Sequence, residues 1–181
     1  MKTTVTKNTL SNLQDYVDGI RAEHNIPGLS VAIWAEDTLY QAASGILNLE
    51  TGVEATTDSI FQIGSITKVF TASLIMQLVG EGKVELDAPV KKYLRDFQVA
   101  DLEMSNTVTV SQLLAHTSGI PGDFLPDTSY TEENAIARYV DRCNLSLKVH
   151  EPGARHSYSN AAYSIAGRLI EVVLGCSWFD A

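Results

Sequence analysis

Cysteine is scarce in this sequence: Cys143 and Cys176 are all that 181 residues contain. Two cysteines make neither a disulfide framework nor a zinc knuckle, and they read as two buried thiols. Positive charge is also short, with 13 Lys and Arg against 22 Asp and Glu and a formal net charge of −9. Such a chain repels phosphate backbones, which argues against nucleic acid as a partner. No apolar run approaches the roughly 20 residues that cross a bilayer. No apolar stretch follows the charged N-terminus, so no secretory leader is visible. The location expected from this is cytoplasmic, or periplasmic or secreted if a leader was removed.

Several chemical signatures are missing as well. The sequence has no G-x-G-x-x-G and no G-x-x-x-x-G-K-[ST], which removes the common dinucleotide and nucleotide loops. It has no H-E-x-x-H, and His24, His116, His150 and His156 lack compact ligand spacing. His150 beside Glu151 reads as an exposed loop rather than a metal site, so no metal and no cofactor are expected. The absence of G-x-S-x-G excludes the α/β-hydrolase nucleophile elbow.

What is present is a globular pattern, 45% hydrophobic and 19% charged, enough for a real core. Leu10, Leu13, Val17 and Ile20 follow helical spacing, with Thr9 or Ser11 as cap. Ile26-Pro27-Gly28 breaks that helix. Leu29–Trp34 and Leu39–Gly45 alternate as two strands of a hairpin around the polar turn Ala35–Thr38. Asn48–Asp58 is a polar loop.

Ser65–Val79 reads as a helix apolar almost all round, hence buried, ending at Gly80-Glu81-Gly82. Ala88–Leu94 is predicted as a short helix capped by Asp87, with Pro89 in its first turn. Thr109-Val110-Ser111-Gln112 matches a capping box, and the helix it starts is expected to stop at Ser118-Gly119-Ile120-Pro121. Asp123–Tyr130 reads as loop, Glu132–Cys143 as helix, and Glu151-Pro152-Gly153 as turn. Asn160–Leu174 is a long amphipathic helix stopped by Gly175. Ser177 with Trp178 and Phe179 reads as the start of another helix. Residues 1–60 are expected to form an N-terminal helix with first strands, and 61–181 the apolar helix with a helical lobe.

Two constellations carry chemistry. In Gly64-Ser65-Ile66-Thr67-Lys68, serine and lysine three apart share one helix face, with Cβ atoms roughly 5–6 Å apart. A helix N-terminus favours negative charge on the serine oxygen. A lysine desolvated in an apolar helix can accept the serine proton. The competing reading is a capping serine beside a solvated lysine. In Tyr158-Ser159-Asn160, residues two apart in an extended segment point the same way. A phenol and an amide then reach one site, where a tyrosine beside a cation can move protons. The competing reading is a packed tyrosine and a helix-capping asparagine.

The joint order of S-x-x-K on an apolar helix, Leu113-Leu114-Ala115-His116-Thr117-Ser118-Gly119 and then Tyr-Ser-Asn resembles the serine β-lactamase and penicillin-binding protein superfamily. It is most similar to the branch of class C β-lactamases, D-alanyl-D-alanine carboxypeptidases and related esterases and D-amino-acid peptidases. The N-terminal helix, the Ile-Pro-Gly-Leu-Ser-Val lead-in, Phe61–Lys68 and Glu151-Pro152-Gly153 share in the resemblance. It implies an α+β fold of the β-lactamase/transpeptidase type, a helical lobe beside an antiparallel sheet with the site between them.

Carried onto this sequence, it implies Ser65 as acylated nucleophile, Lys68 as proton acceptor or electrostatic partner, Tyr158 as proton shuttle and Asn160 as substrate-binding amide. The Ser65 N–H is implied as an oxyanion donor. His116-Thr117-Ser118-Gly119 is read as structural. The expected activity is acyl-enzyme hydrolysis of an ester, amide or β-lactam in a small molecule or peptide. The alternative is a sensor-type or non-catalytic relative, or an inactive fragment. No S-D-N occurs, and no Lys-Thr-Gly or His/Gly variant follows Tyr158. The expectation is therefore an N-terminal half whose later strands are missing, completed in one version by a second chain.

Overall fold

A computed structural model of the chain describes residues 10–122 and 134–181. Thr9 and the Asp123–Tyr130 loop, like Glu132 at the expected start of a helix, lie outside the described residues. The chain divides into two compact units, Met1–Gln62 and Ile63–Ala181. Together they hold helices and one two-stranded antiparallel sheet, an α+β content.

The first unit is a helix on a hairpin. Helix α1 (Leu13–Glu23) buries Leu13 and Val17. Its N-cap is Asn12, without a side-chain capping bond, rather than Ser11. Strands β1 (Gly28–Ala35) and β2 (Thr38–Gly45) pair antiparallel, Gly28 opposite Gly45 and Ala35 opposite Thr38. Glu36 and Asp37 both take positive φ, 50° and 58°, the geometry of a two-residue turn whose twist matches that of its strands. A lone hairpin is marginal in water. Here Leu13 and Val17 pack with Ala42, and Leu29, Val31, Ile33 and Tyr40 lean on that cluster. Arg21 Nε donates to Ser44 Oγ at 2.7 Å and Ser44 donates to Asp18, tying α1 to β2.

The second unit is helical. A short 3-10 turn, Gly64–Ile66, leads into α2 (Thr67–Gly80). The helix stops as expected, with Gly82 at φ 71°. Only one side of it is buried, through Thr71, Ile75 and Leu78. Val69 and Phe70 stay 64% and 56% exposed, so the expectation of a helix buried all round is wrong. An apolar circumference states what a helix can bury; the packed elements of this unit reach one side of it.

The expected Ala88–Leu94 helix shrinks to a 3-10 turn, Val90–Lys92, with Pro89 at its N-cap. Sideways bonds compete with helix formation: Val90 N–H donates to Val108 O at 2.9 Å and Val110 N–H to Ala88 O at 3.2 Å. Helix α3 (Leu102–Thr107) was not read from the sequence. Asp101 caps it by accepting from Met104 N–H, and Glu103 favours its first turn. Helix α4 (Val110–Leu114) has the expected capping box in both directions. It ends earlier than expected, because His116 already has a left-handed φ of 57°.

Helix α5 spans Ala135–Arg142, and α6 spans Asn160–Leu174 with Gly175 at φ 72° as its C-cap. The core gathers Ile75, Leu78, Leu113, Ile120, Ile165 and Leu169 with the buried side of α6. Ser177–Asp180 closes one turn rather than a helix. Cys143 is buried, which pushes its thiol up to about 12, and Cys176 is half-buried. No helix of the described residues is long and apolar enough to cross a membrane.

Candidate active site

The four residues singled out in the sequence meet within the second unit. Ser65 sits in the 3-10 turn that opens α2, and Lys68 one turn on. The N-cap positions of that turn and of α2 are Ile63 and Ile66, so the capping-serine reading falls. Instead Lys68 Nζ donates to Ser65 Oγ at 3.1 Å and to Asn160 Oδ1 at 2.7 Å. Tyr158 donates its phenolic proton to the same Ser65 oxygen at 2.7 Å.

Local structure explains why Tyr158 and Asn160 are available. Ser159, fully buried, is the N-cap of α6. It accepts from Ala162 N–H at 3.1 Å and donates to Pro121 O at 3.2 Å. With the cap position filled, Asn160 is spared that task and its amide reaches Lys68. The cap itself is extended, and Asn160 N–H donates to Gly122 O at 3.1 Å. Gly122 has to be small: a Cβ there would lie 2.4 Å from Tyr158 O.

The electrostatics follow from this packing. Lys68 foremost, and then the Ser65 hydroxyl, hold the Tyr158 phenol below its usual value of 10. Lys68 Nζ also lies 4.9 Å from the centre of the Tyr158 ring and 5.6 Å from that of Tyr163, close enough for cation–π attraction. The lysine is half-buried.

Two contributors were not singled out. Tyr163 lies one turn into α6, its hydroxyl on Leu114 O at 3.0 Å. His116, read as part of a structural turn, stacks on Tyr158 with centroids 4.3 Å apart. Only the left-handed turn after α4 would have flagged His116, and spacing alone does not show it. An open groove of about 340 Å³ beside Lys68 is lined by Val69, Ala72, Ser73, Met76 and Tyr163. A separate cavity of about 480 Å³, lined by Tyr93–Gln98 and parts of α5 and α6, includes none of the four residues. His150 Nδ1 faces Glu151 O at 2.8 Å, while the Glu151 carboxylate pairs with Lys148. Among the described residues no three His, Cys, Asp or Glu side chains gather as metal ligands.

Sequence comparison places the chain in a family. The sequence model described as Beta-lactamase matches residues 13–181. The chain belongs to the beta-lactamase family. Penicillin-binding protein 4 of Amycolatopsis lactamdurans is 46% identical over 168 residues, covering 93% of this chain and 44% of that protein. The chain thus spans less than half of that relative's length. Among solved structures, a class C beta-lactamase superposes with a TM-score of 0.74 at 25% identity, over 97% of this chain and 46% of its own. D-amino acid amidase from Ochrobactrum anthropi SV3 gives 0.76 at 28%, over 94% and 48%. The β-lactamase/transpeptidase-like fold expected from the motifs is the one these structures share.

Proposed function

We propose that this chain carries the nucleophile and proton-transfer groups of a serine hydrolase working through an acyl-enzyme on an ester, amide or β-lactam carbonyl. The observation that carries the reading is the convergence of Lys68 Nζ and Tyr158 OH on Ser65 Oγ, at 3.1 and 2.7 Å. The names of the three relatives support it, since a penicillin, a β-lactam and an amide share an amide carbonyl.

In the proposed reaction Tyr158, as phenolate, takes the Ser65 proton along their hydrogen bond. Ser65 Oγ bonds to the carbonyl carbon and the π pair moves onto oxygen. The Ser65 N–H stabilises that oxyanion, a kind of contact worth about 3–4 kcal/mol. The bond to the leaving nitrogen or oxygen then breaks, and Tyr158 returns the proton to it. Water repeats the sequence: its proton goes to Tyr158, its oxygen attacks the ester, and Ser65 leaves with the proton. Lys68 supplies the positive field that keeps Tyr158 acidic, and Asn160 orients both Lys68 and the substrate amide. A second oxyanion donor and the far wall are assigned to sequence matching the remainder of the longer relatives, in the same protein or in a second chain.

Intact-protein mass spectrometry tests this with a fluorophosphonate and benzylpenicillin as probes. A single adduct is expected on Ser65, absent from Ser65→Ala and kept by Ser59→Ala. Release of the penicilloyl group over time supports a hydrolase; a persistent adduct supports a receptor that acylates without turnover. Labelling that survives Ser65→Ala, or none on a protein that carries both oxyanion donors, overturns the reading.

A further inference from the structure

His116 grips the backbone on both sides of Tyr158. Its carbonyl accepts the Ser157 N–H at 2.8 Å. Its Nδ1 accepts the Ser159 N–H at 3.0 Å. Its ring stacks on the phenol between them, 4.3 Å away and inclined by 29°. The residue reaches both partners because its backbone is left-handed, φ 57°, a region that His, Asn and Asp enter more readily than most side chains. An imidazole that accepts at Nδ1 is neutral with its proton on Nε2, since an imidazolium has donors at both nitrogens. On protonation the Nδ1 proton and the Ser159 N–H would face each other, and the grip on one side of Tyr158 would be lost.

We infer that His116 is a positioning residue: its neutral ring holds Tyr158 against Ser65, so that protonating this histidine releases the phenol and switches acylation off. The inference rests on Ser65 and Tyr158 being the acylation pair. The groups facing the ring all favour or tolerate the neutral form rather than attract a proton. His156 lies edge-on at 5.7 Å from the segment before Tyr158, Tyr163 lies at 5.0 Å from α6, and Lys68 projects from α2. No carboxylate is among the groups that set its titration. Burial first, then His156 and Lys68, hold the imidazole below the ordinary histidine value. The site therefore stays assembled at neutral pH and comes apart on acidification below about 6.5.

Two measurements on the 181-residue chain separate this role from the proposed activity. The first is long-range proton–nitrogen correlation of the histidine rings through an acid titration. It should show His116 with an unprotonated Nδ1 at neutral pH, and a Ser159 amide that titrates with the ring. A proton on Nδ1, or an indifferent Ser159 amide, overturns the inference without reference to activity.

The second is the rate of Ser65 labelling by the fluorophosphonate against pH. Asparagine tolerates the left-handed backbone, can present Oδ1 where Nδ1 sits, and does not titrate. His116→Asn should label within about tenfold of the native rate at pH 8, keeping the rise with pH that Tyr158 sets but losing the additional fall below about pH 6.5. His116→Ala should be about 100-fold slower with unchanged probe saturation, the scale of a misplaced reacting group. An additional fall below about pH 6.5 that persists in His116→Asn overturns the role of His116 alone. Labelling that survives Ser65→Ala overturns the acyl-enzyme reading, and the positioning role with it.

Discussion

Two polar atoms meet at one small group in this chain: the amine of Lys68 and the phenol of Tyr158 on the Ser65 hydroxyl, with Asn160 behind the amine. None of these residue types is unusual, and spacing alone could make Ser65 a cap and Asn160 another. Pairing the two motifs was legible because each places two side chains on one face. Their roles depend on neighbours distant in sequence, above all Ser159, which takes the capping task. The division of labour between Lys68 and Tyr158 was not legible, since it turns on how far the amine is buried. It yields a pH prediction. Lys68 lowers the Tyr158 phenol, so the phenolate needed as base forms below pH 10, and labelling should rise with pH through that depressed value. In Lys68→Ala the cation is gone, and the midpoint should move up toward about 10. Tyr158→Phe should remove the dependence and slow labelling by about 10²–10⁴. A pH–rate profile of the three proteins checks this, and coincident midpoints for native and Lys68→Ala would refute it.

Elements were legible where local chemistry sets them. The Thr109–Gln112 capping box, the Gly175 stop and the Asn160 start of α6 all agree with the structure, because each depends on groups within four residues. Helix α3 and the Pro89 turn escaped the reading: one is a six-residue helix without periodicity, the other is held by bonds to Val108 and Val110. The loop after α4 was read as a turn and nothing more, yet it forms the cradle of Tyr158. Gly122 gives that cradle a test. A methyl there would lie 2.4 Å from the carbonyl oxygen of Tyr158, so backbone has to move. Gly122→Ala should therefore displace Tyr158 and the α6 start, cutting Ser65 labelling by about 10²-fold. Far-UV circular dichroism should show the helices retained, because α6 keeps its Ser159 cap. Unaltered labelling by Gly122→Ala would show that the cradle does not position the phenol.

At the scale of the molecule, the apolar residues of Ile63–Met76 stand out. Ile66, Val69 and Phe70 are 59%, 64% and 56% exposed, and Ile63 and Met76 about half. Burying one such side chain is worth roughly 1.5–3 kcal/mol, and large exposed apolar patches on a soluble chain mark surfaces that associate. The period of the sequence identified these residues as ones a protein covers. It said nothing of which element covers them, because that is set by topology rather than by helical spacing. In the chain as it stands they meet water, beside the groove at Lys68. Purified alone, it should therefore self-associate in a concentration-dependent way. Val69→Ser with Phe70→Ser should reduce that association while changing folding stability by no more than about 0.5 kcal/mol per site, the usual scale for exposed positions. Sedimentation velocity over a concentration series, paired with urea unfolding, reads both quantities. If the double variant associates as before, this face is not what joins the copies. If it unfolds much more easily, Val69 and Phe70 are covered in solution by part of the same chain.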